Sequence, residues 1–281
     1  FDLEYWSLEQ AKLGGKKYPP NSGKVVIVTG AGGTIGTEIS KVFSRSGAEV
    51  VCIDKNIVTA KKTATICGPN ALAIECDITS RNEIKDAFKE VIFKFGGVDI
   101  LISNAGIALS GVLADIKDEI LIQSLNLNLL SHHYLSQESL NIFKSQDFFN
   151  FDRKDLLGGQ LLFNVSKQTL NPGKGFGAYG ISKSALLALM KQYALEEGHR
   201  GIRSNGINAD RIKSGLLNDE MIKKRAKLRG LSEEQYMSGN LLNSEVKAND
   251  VANAFLSLSN MEKTTGLILT VDGGNVAAMP R

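Results

Sequence analysis

Seven short runs of β-branched and aliphatic residues alternate with longer segments of helical period, and that order suits parallel strands joined by crossover helices. The runs are Lys24 to Val28, Glu49 to Ile53, Ala71 to Glu75, Val98 to Ser103, Gln160 to Val165, Arg203 to Ile207 and Leu267 to Val271. Helical patterns cover Ile35 to Ser46, Ser80 to Phe95, Lys117 to Phe143, Tyr179 to Gly198 and Asn249 to Leu258. Ser80 and Glu83 have the spacing of a capping box at the start of one of them. The expected fold is α/β: a doubly wound, parallel seven-stranded sheet with helices on both faces, forming one domain over 24–281. Phe1 to Gly23, with Gly14-Gly15 and Pro19-Pro20, reads as an arm or linker. The region 214–244 has helical period and no strand, and it reads as a small helical lid.

In such a sheet ligands bind beyond the carboxyl ends of the strands. The first run passes into Thr29-Gly30-Ala31-Gly32-Gly33-Thr34-Ile35-Gly36 and then into a helical pattern, the strand, glycine turn and helix of a Rossmann-type dinucleotide site. Glycine admits the pyrophosphate close to the backbone, and the helix amino terminus supplies free amides and positive dipole. Asp54 closes the second run, where a carboxylate accepts hydrogen bonds from the adenosine ribose hydroxyls and repels a 2′-phosphate. NAD is therefore favoured over NADP, although Lys55 softens the repulsion. Asp77 and Ile78 after the third run, and Asn104-Ala105-Gly106 after the fourth, border the same crevice.

Tyr179 and Lys183 lie four residues apart, on one face of a helix. A phenol is a poor base at neutral pH, and a nearby ammonium lowers its pKa toward the useful range. On an amphipathic helix this spacing alone is commonplace. Ser166, at the exit of the fifth run, supplies a second hydrogen bond to the same substrate oxygen and gives the pair a chemical meaning.

The set Thr29 to Gly36, Asp77, Asn104-Ala105-Gly106, Ser166, Tyr179, Lys183 and Val271-Asp272-Gly273-Gly274 resembles the short-chain dehydrogenase/reductases of classical type over residues 24 to 275. The resemblance implies that Tyr179 is the general acid/base, that Lys183 holds the nicotinamide ribose and tunes the tyrosine, and that Ser166 orients the reacting group. It implies that an asparagine anchors a proton-relay water; Asn128 matches best and Asn126 is the alternative. Ile212 and Ser214 complete the implied cofactor set. Three departures stand out. The spacing of Gly30, Gly33 and Gly36 is that of the sugar-nucleotide epimerase branch; Ala209-Asp210 replaces the usual Pro-Gly; and the connection from Phe143 to Gly158, including Phe148 to Phe151, is long enough for a surface excursion or subunit contact.

Leu3-Glu4-Tyr5-Trp6, Phe163-Asn164-Val165-Ser166-Lys167, Asn208-Ala209-Asp210-Arg211-Ile212 and Ser214-Gly215-Leu216-Leu217 resemble the dehydrogenase half of bifunctional rhamnulose-phosphate aldolase/lactaldehyde dehydrogenases, and also sequences described as sorbitol-6-phosphate dehydrogenases. That likeness implies an aldolase domain or partner, and it matches a chain that starts at Phe1 as an excised or processed half. An alcohol, a sugar phosphate or a hydrated aldehyde all suit the chemistry, because the hydrate is a geminal diol. The retained serine, tyrosine and lysine favour an enzyme over two alternatives, a catalytically silent NAD(H)-binding regulator and a sugar-nucleotide epimerase.

Arg211, beside Asp210 at a strand exit, is the candidate substrate contact for an anion, with an internal Asp-Arg brace as its equal. Lys223, Lys224, Arg225, Lys227 and Arg229 cluster in the lid region, where a solvated helix face is favoured over recognition of a phosphate or carboxylate. His132 and His133 project about 100 degrees apart on a helix, so no metal site is expected and they read as packing or interface residues. Trp6 reads as a docking anchor. A net charge of +3, dispersed along the chain, argues against nucleic-acid or membrane partners. Three unpaired cysteines and the lack of a signal-type segment or membrane span point to the cytoplasm. The family likeness implies a homotetramer or homodimer.

Overall fold

The computed structural model describes residues 18–147 and 158–275. Trp6, most of the amino-terminal arm and Phe148 to Phe151 lie outside the described residues. Seven strands form one wholly parallel sheet in the order β3-β2-β1-β4-β5-β6-β7. They are β1 Val25–Thr29, β2 Glu49–Asp54, β3 Leu72–Glu75, β4 Ile100–Ser103, β5 Gln160–Asn164, β6 Arg203–Ala209 and β7 Ile268–Val271. The order reverses between β1 and β4, and this switch point opens the crevice for a ligand.

The strands read as unbroken apolar runs because both faces of the sheet are covered. Val25, Ile27, Val51, Leu101, Leu161 and Phe163 pack on one side against α3 (Arg81–Phe95), α5 (Ser131–Asp147) and α6 (Gly177–Glu197). Val26, Val28, Val50, Ile100, Ile102 and Leu162 point the other way, toward α1 (Thr34–Arg45) and α9 (Ala248–Ser259). Adjacent residues thus serve opposite cores, as the two-residue period of a strand requires. Each fully buried Val, Leu or Ile contributes about 1.5–3 kcal/mol.

Three local features differ from the sequence expectations. A helix α2 at Ile57–Cys67 is an addition; Ile57, Val58, Thr59, Thr63, Thr65 and Ile66 are β-branched and disguise it. Asn56 caps it by accepting from the amides of Val58 and Thr59, and Ala60, Thr63 and Ala64 bury its inner face. The long helix expected over 117–143 is broken: α4 (Asp118–Leu125) and α5 are separated by a π turn at Asn126–Leu130. The capping box at Ser80 is half formed. Ser80 Oγ accepts from Glu83 N at 3.4 Å, but Glu83 Oε2 accepts from the amide of Asp77 at 2.8 Å, one turn further back. The region 214–244 contains α7 (Asp219–Leu228) and α8 (Glu233–Met237) and no strand.

Candidate active site

At the end of β1 the glycines are required by contact. Gly30 has φ +64°, and a Cβ there would lie 2.9 Å from Ala105 Cα. On Gly36 a Cβ would lie 2.1 Å from the carbonyl oxygen of Gly30, so α1 packs directly on the turn that precedes it. Gly32 turns away from the crevice; its N–H donates to Asp54 Oδ2 at 2.9 Å, and a Cβ would collide with Thr59. Asp54 is thereby fixed at the mouth of β2, its second oxygen accepting from Asn56 N at 3.0 Å. A crevice of about 270 Å³ follows, lined by Gly30, Gly33, Thr34, Ile35, Gly36, Asp54, Asp77, Ile78, Asn104, Ala105, Gly106 and Ser214 among others. These residues fit a dinucleotide: glycines that let the turn pack tightly under α1, an uncapped helix amino terminus at Gly33, and the Asp54 carboxylate on the same crevice.

The crevice shares Asn104, Gly106, Asn164 and Ser214 with a cavity of about 130 Å³, on whose wall Ser166, Tyr179, Lys183 and Ile212 meet. Helix α6 begins two residues before Tyr179, so the tyrosine and lysine share its first turns. The phenol and the Ser166 hydroxyl share one wall of this cavity. Burial raises the Tyr179 pKa above its ordinary value, while Ser166 pulls the other way. Lys183, also buried, is lowered to about 7 by desolvation and donates to the carbonyl of Asn164 at 2.7 Å. This differs from the expectation that an ammonium depresses the phenol: loss of water is the leading cause of both shifts. The ammonium form of Lys183 is present below about pH 7 and declines above it.

Asn128 is fully buried and Asn126 is exposed; two residues apart on a helix, they point to opposite sides. Its Nδ2 donates to Ile107 O at 2.9 Å and to Ser182 Oγ at 3.0 Å, and its Oδ1 accepts from Ile107 N at 2.9 Å. The side chain thus acts as a clamp between the turn after β4 and α6, and both of its amide hydrogens are used. Gly106 must lack a side chain here, since a Cβ would lie 2.9 Å from Asn128 Oδ1 and 3.6 Å from Lys183 Nζ. Asn104 and Asn164 extend the scaffold: Asn104 Nδ2 donates to Thr29 O at 3.0 Å, and Asn164 Nδ2 donates to Asn104 Oδ1 at 2.9 Å.

The Ala209-Asp210 departure forms an ionic knot. Asp210, 8% exposed, pairs with Lys167 at 3.0 Å and Arg211 at 3.5 Å, and accepts from Asn275 Nδ2 at 2.8 Å. Arg211 has left-handed backbone, φ 52°, unusual for a side chain of its size. Its Nη1 donates to Tyr236 O at 2.6 Å and to Gly239 O at 3.3 Å, with the guanidinium 4.9 Å from the Tyr236 ring. Arg211 lines the cavity, but the geometry is that of the brace, and it ties the loop after β6 to α8.

Gln168 and Phe176, which no motif singles out, line the catalytic cavity, and so does Arg225, against the reading of its cluster as a solvated helix face. Phe176 meets Tyr179 edge-on, ring centroids 6.5 Å apart. For Arg225 the signal was present in the periodicity of α7, where Ile222 and Ala226 are buried beside it.

His132 is buried between Ser103 Oγ, 2.7 Å from Nδ1, and Ala105 O, 3.0 Å from Nε2. The carbonyl accepts, so Nε2 carries the proton and Nδ1 accepts from Ser103. Burial, with Lys183 nearby, holds its pKa well below 6.5. The unfolded ring takes up a proton below about pH 6.5 that the native ring refuses, so this group's stability is present above that pH and lost as pH falls. Urea unfolding is expected to show a decline of up to about 1.4 kcal/mol per pH unit from this one site. His132→Gln should remove that share of the slope; an unchanged acid limb would show that His132 titrates normally. His133 instead bonds through Nδ1 to Tyr193 Oη at 2.7 Å and stacks on its ring.

Among the described residues no group of His, Cys, Asp and Glu could hold a metal ion, and no helix is long and apolar enough to cross a membrane. The family model described as short chain dehydrogenase matches residues 24–225. An uncharacterized oxidoreductase of Bacillus subtilis, YuxG, is 32% identical over the whole of this chain, which spans 42% of that relative's length. A (+)-borneol dehydrogenase of Salvia officinalis is 30% identical, the match covering 92% of this chain and 95% of the relative. The crystal structure of a 3-ketoacyl-(acyl-carrier-protein) reductase from Brucella melitensis, complexed with NADH, superposes with a TM-score of 0.80 at 26% identity, covering 90% of this chain and 98% of the other. With the family's sheet, glycine turn and serine, tyrosine and lysine on one wall, the chain belongs to the short-chain dehydrogenase family of oxidoreductases.

Proposed function

We propose that this chain is an NAD-dependent dehydrogenase that interconverts a carbinol and its carbonyl or acid product, acting on a polyol, a sugar phosphate such as sorbitol 6-phosphate, or a hydrated hydroxyaldehyde such as lactaldehyde. The observation that carries it is the meeting of Ser166, Tyr179 and Lys183 on one cavity wall continuous with the dinucleotide crevice. The residues from Gly30 to Gly36 would hold the pyrophosphate, Asp54 the adenosine ribose and Lys183 the nicotinamide ribose. Bound there, the nicotinamide supplies a hydride acceptor or donor.

The chain's own residues do the proton work. Ser166, on the same cavity wall, orients the substrate oxygen beside the phenol. Tyr179 as phenolate takes the hydroxyl proton when the carbinol is oxidised, and as phenol it gives the proton back in reduction. Lys183, pinned by the Asn164 carbonyl, sets the charge beside the phenol, and the Asn128 clamp keeps the turn after β4 fixed against α6. An aldehyde hydrate presents the same hydroxyl, so the same transfer yields an acid. Initial rates with NAD and NADP against lactaldehyde, sorbitol 6-phosphate, their unphosphorylated relatives and several secondary alcohols test the reading. Absence of nicotinamide turnover across the panel would overturn it, and interconversion of sugar nucleotides without net absorbance change would support an epimerase.

NAD preference rests on Asp54. Asp54→Asn keeps one acceptor and removes the charge, and it should lower the NAD/NADP ratio of kcat/KM at least ~10-fold, equivalent to ~1.4 kcal/mol. An unchanged ratio would assign the preference elsewhere. We further infer a cytoplasmic homo-oligomer and an aldolase domain as partner, the latter in keeping with the Bacillus relative's length beyond the shared region.

A further inference from the structure

We propose that Arg225 recognises the negatively charged end of the substrate, and that this end is a phosphate monoester. The inference rests on the dehydrogenase reading above and names the substrate class for that site. Lys223, Lys224, Lys227 and Arg229 are exposed, whereas Arg225 is turned inward beside Ile222 and Ala226. Its guanidinium lies 3.9 Å above the centre of the Phe176 ring, and Nη1 donates to Tyr236 Oη at 3.2 Å. Ring and phenol fix the plane of the fork without neutralising it. Lys167 and Arg211, which share the catalytic cavity, and Lys213 in the loop after Arg211 each pair with a carboxylate, and Lys183 is held by the Asn164 carbonyl. Among the described residues Arg225 has no such pair, and a guanidinium carries five donors.

Position gives that charge a use. Arg225, Phe176 and Met221 line both the catalytic cavity and an adjoining outer cavity of about 840 Å³. Phe176 touches Arg225 with its face and Tyr179 with its edge direction, so one aromatic ring separates the cation from the catalytic phenol. A substrate with its carbinol at Ser166 and Tyr179 reaches Arg225 through a short polyol chain. The outer cavity is also lined by Lys174, Lys224 and Arg229 against Glu220 alone, a surplus that suits a dianion better than a carboxylate. Planar bidentate recognition of phosphate is what arginine does well.

The test compares sorbitol 6-phosphate, sorbitol and the corresponding aldonate in the full chain with saturating NAD, for wild type, Arg225→Met, Arg225→Lys and the exposed control Lys223→Met. Arg225→Met should lower kcat/KM for the phosphate at least ~100-fold, chiefly through KM, and change that for sorbitol less than ~3-fold. Arg225→Lys should recover part of the loss, and Lys223→Met should match wild type. Equal losses on both substrates, or no loss on the phosphate, would overturn the assignment. Preference for the aldonate would overturn the phosphate clause. Calorimetry of inorganic phosphate into the NADH complex reads the site independently of turnover: binding lost in Arg225→Met supports it even if the dehydrogenase reading fails, and equal binding in both proteins opposes it.

Discussion

Tyr179→Phe is expected to lower kcat on the order of 10²–10⁴-fold, the range of a positioned general acid/base, while NADH binds within about twofold of wild type. The substitution removes one oxygen and keeps the ring that Phe176 meets edge-on, so the cavity wall stays in place. The phenol is desolvated in the fold, a cost that its removal takes away, so the substitution should be about neutral for folding. Activity and stability should therefore separate: turnover collapses and the urea midpoint holds. Stopped-flow single turnovers with NADH fluorescence measure both binding and chemistry in one experiment. Turnover retained in Tyr179→Phe would remove the tyrosine from the proton path and with it the proposed mechanism.

Gly36→Val is the second large effect, and it acts on the cofactor. Even the first added carbon would lie 2.1 Å from the Gly30 carbonyl oxygen and 2.8 Å from Ala31 Cα, both backbone atoms that cannot swing aside. Helix α1 must then back away from the turn, and its amino-terminal amides lose their aim. NADH affinity should fall at least ~100-fold, about 2.7 kcal/mol, and overpacking should cost a further 1–3 kcal/mol or so of stability. Gly198→Ala is the natural control: a Cβ there meets nothing within 4 Å, and its φ of −60° suits any residue. That variant should be neutral or slightly more stable. Equal NADH titration curves for Gly36→Val and Gly198→Ala would show that the turn does not bind the dinucleotide.

The sheet was legible in the sequence because a parallel strand covered on both faces must be apolar at every position, and Val25 to Val28 or Val50 to Ile53 can be little else. The glycine turn and the Tyr179 and Lys183 face were legible for a similar reason, since close backbone approach and helix period leave local marks. What escaped notice depends on partners remote in sequence. The β-branched residues of α2 read against a helix until Asn56 caps it and the sheet buries it. The π turn is a one-residue shift that hydrophobic period does not register. Arg211 and Arg225 exchange the standing their sequence contexts suggest: the carbonyls of Tyr236 and Gly239 give one a brace, and the ring of Phe176 gives the other an open fork.

The knot at Asp210 gathers three distant stretches of chain: Lys167 from the exit of β5, Arg211 leading to α8, and Asn275 beyond β7. Because a single carboxylate answers to all of them, these positions stand or fall together. A change at one corner strands a charge or an amide at the others, so the segment that shapes the substrate wall cannot be altered piecemeal without cost. Residues outside the knot, such as those on the inner face of α7, are under no such constraint.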